Sequence, residues 1–549
     1  MQSVSQFPVK KALVVALLAA CYSQSTFADT FLPGELIVSR TVYDGTASTV
    51  TIGQNLSAKT FNTDGTVATY NVATNDGSFA NVFKNEVPDP SFGITSSIYL
   101  DHMTTSGAVT STTAIDSSIM TTSFASKSEL ALNVSTNGQS VTFMGYKAPT
   151  NTLDVSNSNT SQVFDPTNPV TSTFARAIGS VNLSSGALTV TDVNAYSGNN
   201  GRAAIEANGQ YYMVGNAGNG SGNGATLSQL SDNTGVQTIA VGSSGNTTAI
   251  GVAQGTFGSA TGYQRGFSLA QLQDPTKAAG VNYAADKTGK DDNFRGETVF
   301  NDTLFVTKGS GSNGVDTVYQ VGATGALANG GVLPTNAPIT ILPGFNAVSE
   351  KVVEANAATA IAAGNTPLAS SHPFGIWFGD ANTLFVADEG DGVRLGVAGK
   401  VSTLAGLQEW NLNSGVWSLT QTFQTGLVGF KDVAASNSLG WTVQEDGLRN
   451  ITGEKNADGT FTIFGTTSTV SNELTHDLGA DPNAIVSIVI GANSTFANTS
   501  FSVLSNAAVG QRFGGVALTP AAVPVPAAVW LFGSGLLGLV GASRKRKTA

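Results

Sequence analysis

The chain has 549 residues, of which 11% are charged and 41% hydrophobic, against about 25% charged in an average soluble protein. That balance excludes a disordered chain, which is poor in apolar residues and rich in charge, and a long coiled coil, which is rich in Ala, Glu, Lys, Leu and Arg. A net charge of −11, one Cys and three His argue against a basic nucleic-acid binder, a disulfide scaffold and a Cys or multi-His metal centre.

In chain order, residues 1–28 read as a secretory signal. Lys10 and Lys11 form the charged region, the run 12–20 is apolar, and Thr26 and Ala28 are the small residues before a cut between Ala28 and Asp29. Leu18-Ala19-Ala20-Cys21 is a second reading, a lipoprotein site with Cys21 acylated. The polar Ser23, Gln24 and Ser25 favour the cut at Ala28.

The body, 29–519, alternates apolar and polar residues in short runs closed by Gly, Asn or Asp, which predicts an all-β fold. Glu35 to Arg40 is one strand. Leu130 to Val134 and Ser140 to Gly145 flank an Asn-Gly turn, and Ile178 to Leu183 and Ala187 to Val193 flank Ser-Ser-Gly. Thr460 to Gly465 and Ile485 to Ile490 continue the pattern, and Ser349 to Ala363, ended by Gly364, is the one helical candidate.

A weak repeat relates Arg202–Gly215, Arg295–Gly309, Pro373–Asp388 and, more loosely, Lys431–Val443. Each runs through an apolar strand, turns at Asn or Asp and climbs a second strand. This pattern predicts a single closed β-propeller of about seven blades; a parallel β-helix or a sandwich array is the alternative. Ser39–Gly45, Tyr99-Leu100-Asp101 and Pro373–Gly392 resemble the corresponding strings of secreted bacterial propeller proteins of unassigned function.

No residue is nominated as catalytic. Asp388 and Asp391, in Asp-Glu-Gly-Asp-Gly, are weak calcium candidates that lack the full EF-hand spacing; calcium is the one cofactor left open. The Gly-rich run 215–224 lacks the Lys-Ser/Thr of a phosphate loop. Trp377, Trp410, Trp417 and Trp441 either stack on sugars or pack the core. If inner strands begin at a central channel, Arg202, Arg295, His372 and Lys431 converge at its mouth and offer a site for an acidic group, such as a uronic acid of an exopolysaccharide. The alternative is that the arginines pair with Glu206, Glu297 or Asp101 and stitch blades together.

Residues 520–549 form the last element. Val523-Pro524-Val525-Pro526 precedes an uncharged apolar run, 527–542, that includes Trp530, Leu531, Phe532, Leu536, Leu537, Leu539 and Val540. As a helix it spans roughly 24 Å, short of a hydrocarbon core of about 30 Å. Arg544, Lys545, Arg546 and Lys547 follow and would stay cytoplasmic, placing the body across the inner membrane. This order resembles the PEP-CTERM sorting signal of Gram-negative bacteria, here with Val525 where the family has Glu. The resemblance implies an exosortase-type enzyme that removes the tail and releases the protein to the cell surface or matrix; a plain uncut anchor is the alternative.

Without both ends, 20 Lys and Arg stand against 37 Asp and Glu, an acidic balance unsuited to nucleic acid. The expectation is an exported, non-enzymatic cell-surface or exopolysaccharide-matrix propeller. A secreted lactonase- or phytase-like hydrolase with calcium in the channel is the alternative.

Overall fold

The computed structural model describes residues 30–521 apart from 44–54, 65, 73–93, 125, 127, 153–154, 162, 164–171, 219–230, 255–263, 285–288, 363–369, 393–402, 430–442, 471–480 and 509. The strands of these residues assemble into six antiparallel blades around one axis. Blade 1 runs outward from Gln511–Leu518 through Leu36–Val42 and Thr95–Met103 to Val109–Ala114, with Thr122–Ser123 as a short addition. Blades 2 to 6 begin at the axis with Asn133–Val134, Gly201–Ala207, Glu297–Phe300, Pro373–Asp380 and Gln444–Lys455.

The ring closes because the last strand pairs with the first, in register from Leu36↔Leu518 to Val42↔Gln511. Closure leaves no blade with an unmatched face. Asn483 fixes this strand to blade 6: its Oδ1 accepts the Phe513 N–H at 2.8 Å, and its Nδ2 donates to the Phe513 and Thr467 carbonyls, both at 3.0 Å.

Position in the blade dictates composition. Second strands are covered on both faces and read as apolar runs: Thr383–Asp388 (TLFVAD) is wholly buried. Outer strands face water on one side and alternate, as in Val109–Ala114 (VTSTTA). Inner hairpins turn on residues that tolerate positive φ, Asn208-Gly209 in blade 3 and Asn301-Asp302 in blade 4. Each blade interface has its own apolar cluster. Ile205 and Tyr212 meet Leu304 and Tyr319 between blades 3 and 4, and Phe385 and Leu407 meet Leu448 and Val486 between blades 5 and 6.

Two expectations are corrected. The blade count is six, not seven. Length was absorbed by insertions that build no blade: the hairpin Asn55–Phe61/Val67–Val72, the short hairpin Ala253–Gln254/Gln264–Arg265 with the segment to 284, and a helix over Glu350–Ala362 at the place expected for it. The fourth repeat was also set too early, since blade 6 starts at Gln444 and pairs with Phe461–Val470, while 431–442 lies outside the described residues.

The other three repeats are the inner hairpins of blades 3, 4 and 5. No helix among the described residues is long and apolar enough to cross a membrane. The cut at Ala28/Asp29, Val523–Pro526, the run 527–542 and the basic cluster 544–547 all lie outside the described residues.

Candidate functional site

The two ends of the axis differ in chemistry. At the end where inner strands begin, charged side chains are packed out of solvent. Arg202, Arg295, Arg449 and Arg512 are each at most 2% exposed. Arg202 donates from Nη1 to the Asn293 side-chain oxygen and to the Phe294 carbonyl, the latter at 2.9 Å. Arg295 donates to the hydroxyls of Ser128 and Ser310 and lies 5.8 Å above the Phe374 ring. Arg512 donates to the carbonyls of Phe124 and Ser126, and Arg449 to Glu389 Oε2 at 3.3 Å.

Glu129 is held the same way. Its carboxyl accepts from Thr122 Oγ1 at 2.8 Å, from the Ser123 N–H at 3.0 Å and from the Tyr146 hydroxyl. Burial pushes its pKa up, against the pull of those hydrogen bonds. Beside it the Arg176 guanidinium, fully buried, donates to four backbone carbonyls and is brought down to about 10 by desolvation.

Between blades 4 and 5 lies a compact ion cluster. Lys308 Nζ donates to Asp316 Oδ1 at 2.5 Å, and His372 Nδ1 stands 3.8 Å from Asp316 Oδ2. Asp388 accepts from the His372 N–H at 2.7 Å, from Ser371 Oγ and Gln408 Nε2 at 3.0 Å each, and from the Gly390 N–H at 3.0 Å. Burial raises Asp388 to about 6 and Glu350 to about 7, the latter with repulsion from Asp316. Burial alone would lower His372, but Asp388, Asp316, Glu350 and Glu389 outweigh it and raise its pKa.

Of the four cations expected at a channel mouth, Arg202 and Arg295 therefore sit inside a sealed polar plug. His372 is only partly covered at its edge, and Lys431 lies outside the described residues. The acids named as alternative partners are engaged elsewhere or alone. Asp101 holds Arg40 through two hydrogen bonds at 2.6 and 2.9 Å, and Glu206 accepts from Ser140. Both Glu297 oxygens are buried without a hydrogen bond. Asp388 spends its carboxylate on four donors, and no group of three or more His, Cys, Asp or Glu that could hold a metal occurs among the described residues.

The opposite end is open. There the inner strands of all six blades surround a cavity of about 490 Å³. Its wall includes Asn133 of blade 2, Ile205 of blade 3, Thr298 of blade 4, Trp377 of blade 5, Glu454 of blade 6 and Thr519 beyond blade 1. Among the described residues, Glu454 is the one ionisable side chain in that wall. Trp377 is braced from behind by Phe385 and Phe461, with ring centroids 5.9 and 6.1 Å away. Trp410, stacked 3.9 Å from Phe345, and Trp417, buried between blades 4 and 5, serve packing; Trp441 lies outside the described residues.

The sequence does not single out Glu129, Arg176, Arg449 or Arg512, and it places the binding groups at the head of the inner strands, where Arg202 and Arg295 are buried. A signal for two of them was present: Gly447-Leu448-Arg449 and Gln511-Arg512-Phe513-Gly514 repeat the pattern of an Arg beside Gly at the head of an inner strand.

No family model and no curated protein matches the chain. Among solved structures, a candidate 6-phosphogluconolactonase from Bacteroides uniformis is 12% identical over 75% of this chain and 78% of its own, with a TM-score of 0.32. A glucose dehydrogenase is 9% identical over 75% of this chain and 100% of its own, with a TM-score of 0.33. Likenesses of this size carry no argument about chemistry, and the account of this chain rests on its own six-bladed ring.

Proposed function

We propose that this propeller is an exported, non-enzymatic protein of the cell surface or exopolysaccharide matrix that binds its partner through the open axial mouth. The observation that carries the reading is the separation of chemistries along the axis. The arginines at the head of the inner strands are buried against hydroxyls, carbonyls and single acids, whereas the axial cavity at the other end has, among the described residues, a single carboxylate, Glu454, and otherwise neutral walls. Nucleophilic catalysis commonly pairs the attacking group with a base or a charge that activates it, and the described wall offers Glu454 no such partner. A neutral concave mouth on a rigid ring suits binding.

Export and sorting are supported by the signal-like residues 1–28 and the proline dyad, apolar run and basic cluster of 523–547. In this reading an exosortase-type enzyme removes the tail. Pro520 and Ala521, the last described residues before the sorting signal, line the rim of the cavity.

The test is to express the full chain in a Gram-negative host carrying an exosortase. Envelope and medium fractions are assayed for retention on extracted exopolysaccharide and for hydrolysis of sugar lactones and phosphate monoesters with and without calcium. Retention without turnover supports the reading; calcium-dependent turnover, or protein confined to the cytoplasm, overturns it.

A further inference from the structure

The open axial cavity has a character that narrows its ligand. Its volume, about 490 Å³, falls in the range of small-molecule sites, roughly 300–1,000 Å³. Its walls combine Ile205, Val299 and Ile376 with the polar side chains of Trp377, Thr298, Asn133 and Glu454. The Trp377 indole N–H and the Thr298 hydroxyl make no hydrogen bond to any described residue, yet neither is a buried orphan. Both are accessible polar groups on a wall of the cavity. Asn133 spends its amide nitrogen on the Ala204 carbonyl at 3.1 Å, and that bond fixes the side chain while its oxygen stays available. Glu454 is exposed at the rim.

These groups are held by strands rather than loops. Thr298 belongs to the inner strand of blade 4, Trp377 to that of blade 5 and Glu454 to that of blade 6. The Trp377 ring is fixed by Phe385 and Phe461 and by the bare Gly453, where an added Cβ would come within 3.1 Å of the indole. The site therefore presents a rigid aromatic surface beside neutral hydrogen-bonding groups and one carboxylate, with no cation among the described residues of its wall.

Resting on the reading that the open mouth is the binding surface, we propose that the axial cavity binds a neutral saccharide unit. The apolar C–H face of the sugar ring lies against Trp377, and its hydroxyls exchange hydrogen bonds with the Trp377 indole N–H, Thr298, Asn133 and Glu454. A carboxylate sugar is disfavoured, because entry would bring its charge toward Glu454 with no cation to offset the lost hydration. This reverses the choice of an acidic polysaccharide suggested by the arginines, which are sealed at the other end.

The test is calorimetric titration of the full chain in detergent with methyl glycosides of glucose, galactose and mannose, and with the matching uronides. At least one neutral glycoside should bind, with its uronide about tenfold weaker or more. Trp377→Phe preserves an aromatic ring and removes the N–H; Thr298→Val preserves shape and removes the hydroxyl. Each should weaken binding about threefold to tenfold, the worth of one hydrogen bond, with thermal unfolding unchanged. Arg295→Lys, at the sealed end, should leave affinity unchanged. A uronide bound more tightly than its neutral parent overturns the inference, as do folded Trp377→Phe and Thr298→Val proteins with full affinity. If no glycoside binds while exopolysaccharide still retains the protein, the saccharide assignment fails and the binding function stands.

Discussion

Arg295 donates a hydrogen bond to the hydroxyl of Ser128, a residue 167 positions earlier in the chain. Ser128 leads into blade 2 and Arg295 into blade 4, so the contact bypasses blade 3 altogether. With Arg295 also on Ser310, and Arg202 on Asn293 and Phe294, one end of the axis is plugged by guanidinium groups whose donors are turned inward.

Removing that plug should damage stability without touching binding. Arg295→Ala leaves the buried hydroxyls of Ser128 and Ser310 without their donor and opens a void, which should cost about 1–3 kcal/mol. Urea denaturation should show a lower midpoint with an unchanged slope. Retention of the folded protein on polysaccharide should stay at the level of the parent. A loss of retention at full stability would return the arginines to the binding site.

The buried acids set the direction of the pH dependence. Glu350 at about 7 and Asp388 at about 6 hold their protons more tightly folded than unfolded, and His372 is raised as well. For each, the unfolded state loses its proton first as pH rises, so the stability they contribute is full at low pH and is lost as pH climbs through the folded value. For the two carboxyls that window runs from about pH 4 to about pH 7. Melting temperature should therefore fall between pH 5 and pH 8. Glu350→Gln should flatten the part of the slope nearest neutrality. A melting temperature that rises over this interval would contradict the assignment.

Blades 5 and 6 meet without room for a methyl group. A Cβ on Gly375 would come within 2.5 Å of the Arg449 carbonyl oxygen. Gly375→Ala should force the inner strands apart and cost about 1–3 kcal/mol, read from chemical denaturation. Gly459→Ala is not a suitable control, because Gly459 has φ +87; Thr420→Ser, on an exposed outer strand, is one and should shift the midpoint little.

Closure of the ring depends on Asn483. Asn483→Ala removes two hydrogen bonds that hold the Phe513 backbone to blade 6 and the one that anchors the Asn483 side chain to the Thr467 carbonyl, and should lower stability by about 2 kcal/mol. Hydrogen exchange should speed up first in Gln511–Leu518 and its partner Leu36–Val42. Uniform acceleration over all six blades would show that closure is not the weak seam.

The fold was legible where local chemistry decides it. Apolar runs such as Thr383–Asp388 and turns such as Asn208-Gly209 name the inner hairpins of blades 3 to 5 directly. The blade number was not, because it depends on which long segments are insertions, and composition does not separate a loop of Ser, Thr and Gly from a Ser- and Thr-rich outer strand. Blade 2 starts with only Asn133–Val134 at the axis, and blade 1 joins the two ends of the chain, so neither resembles the repeat. The arginines were visible, but their burial was not: whether Arg295 faces water or Ser128 depends on which blades stand opposite one another. Trp377 was singled out, yet only the ring geometry places it at the mouth formed by the far ends of the strands.

The most direct test is a crystal structure of the protein soaked with the neutral methyl glycoside that binds most tightly. The account predicts density for the sugar in the axial cavity, ring against Trp377 and a hydroxyl within hydrogen-bonding distance of Thr298, with Arg202 and Arg295 still in their buried contacts. Sugar density at the head of the inner strands, with Arg202 and Arg295 turned out to meet it, would contradict it.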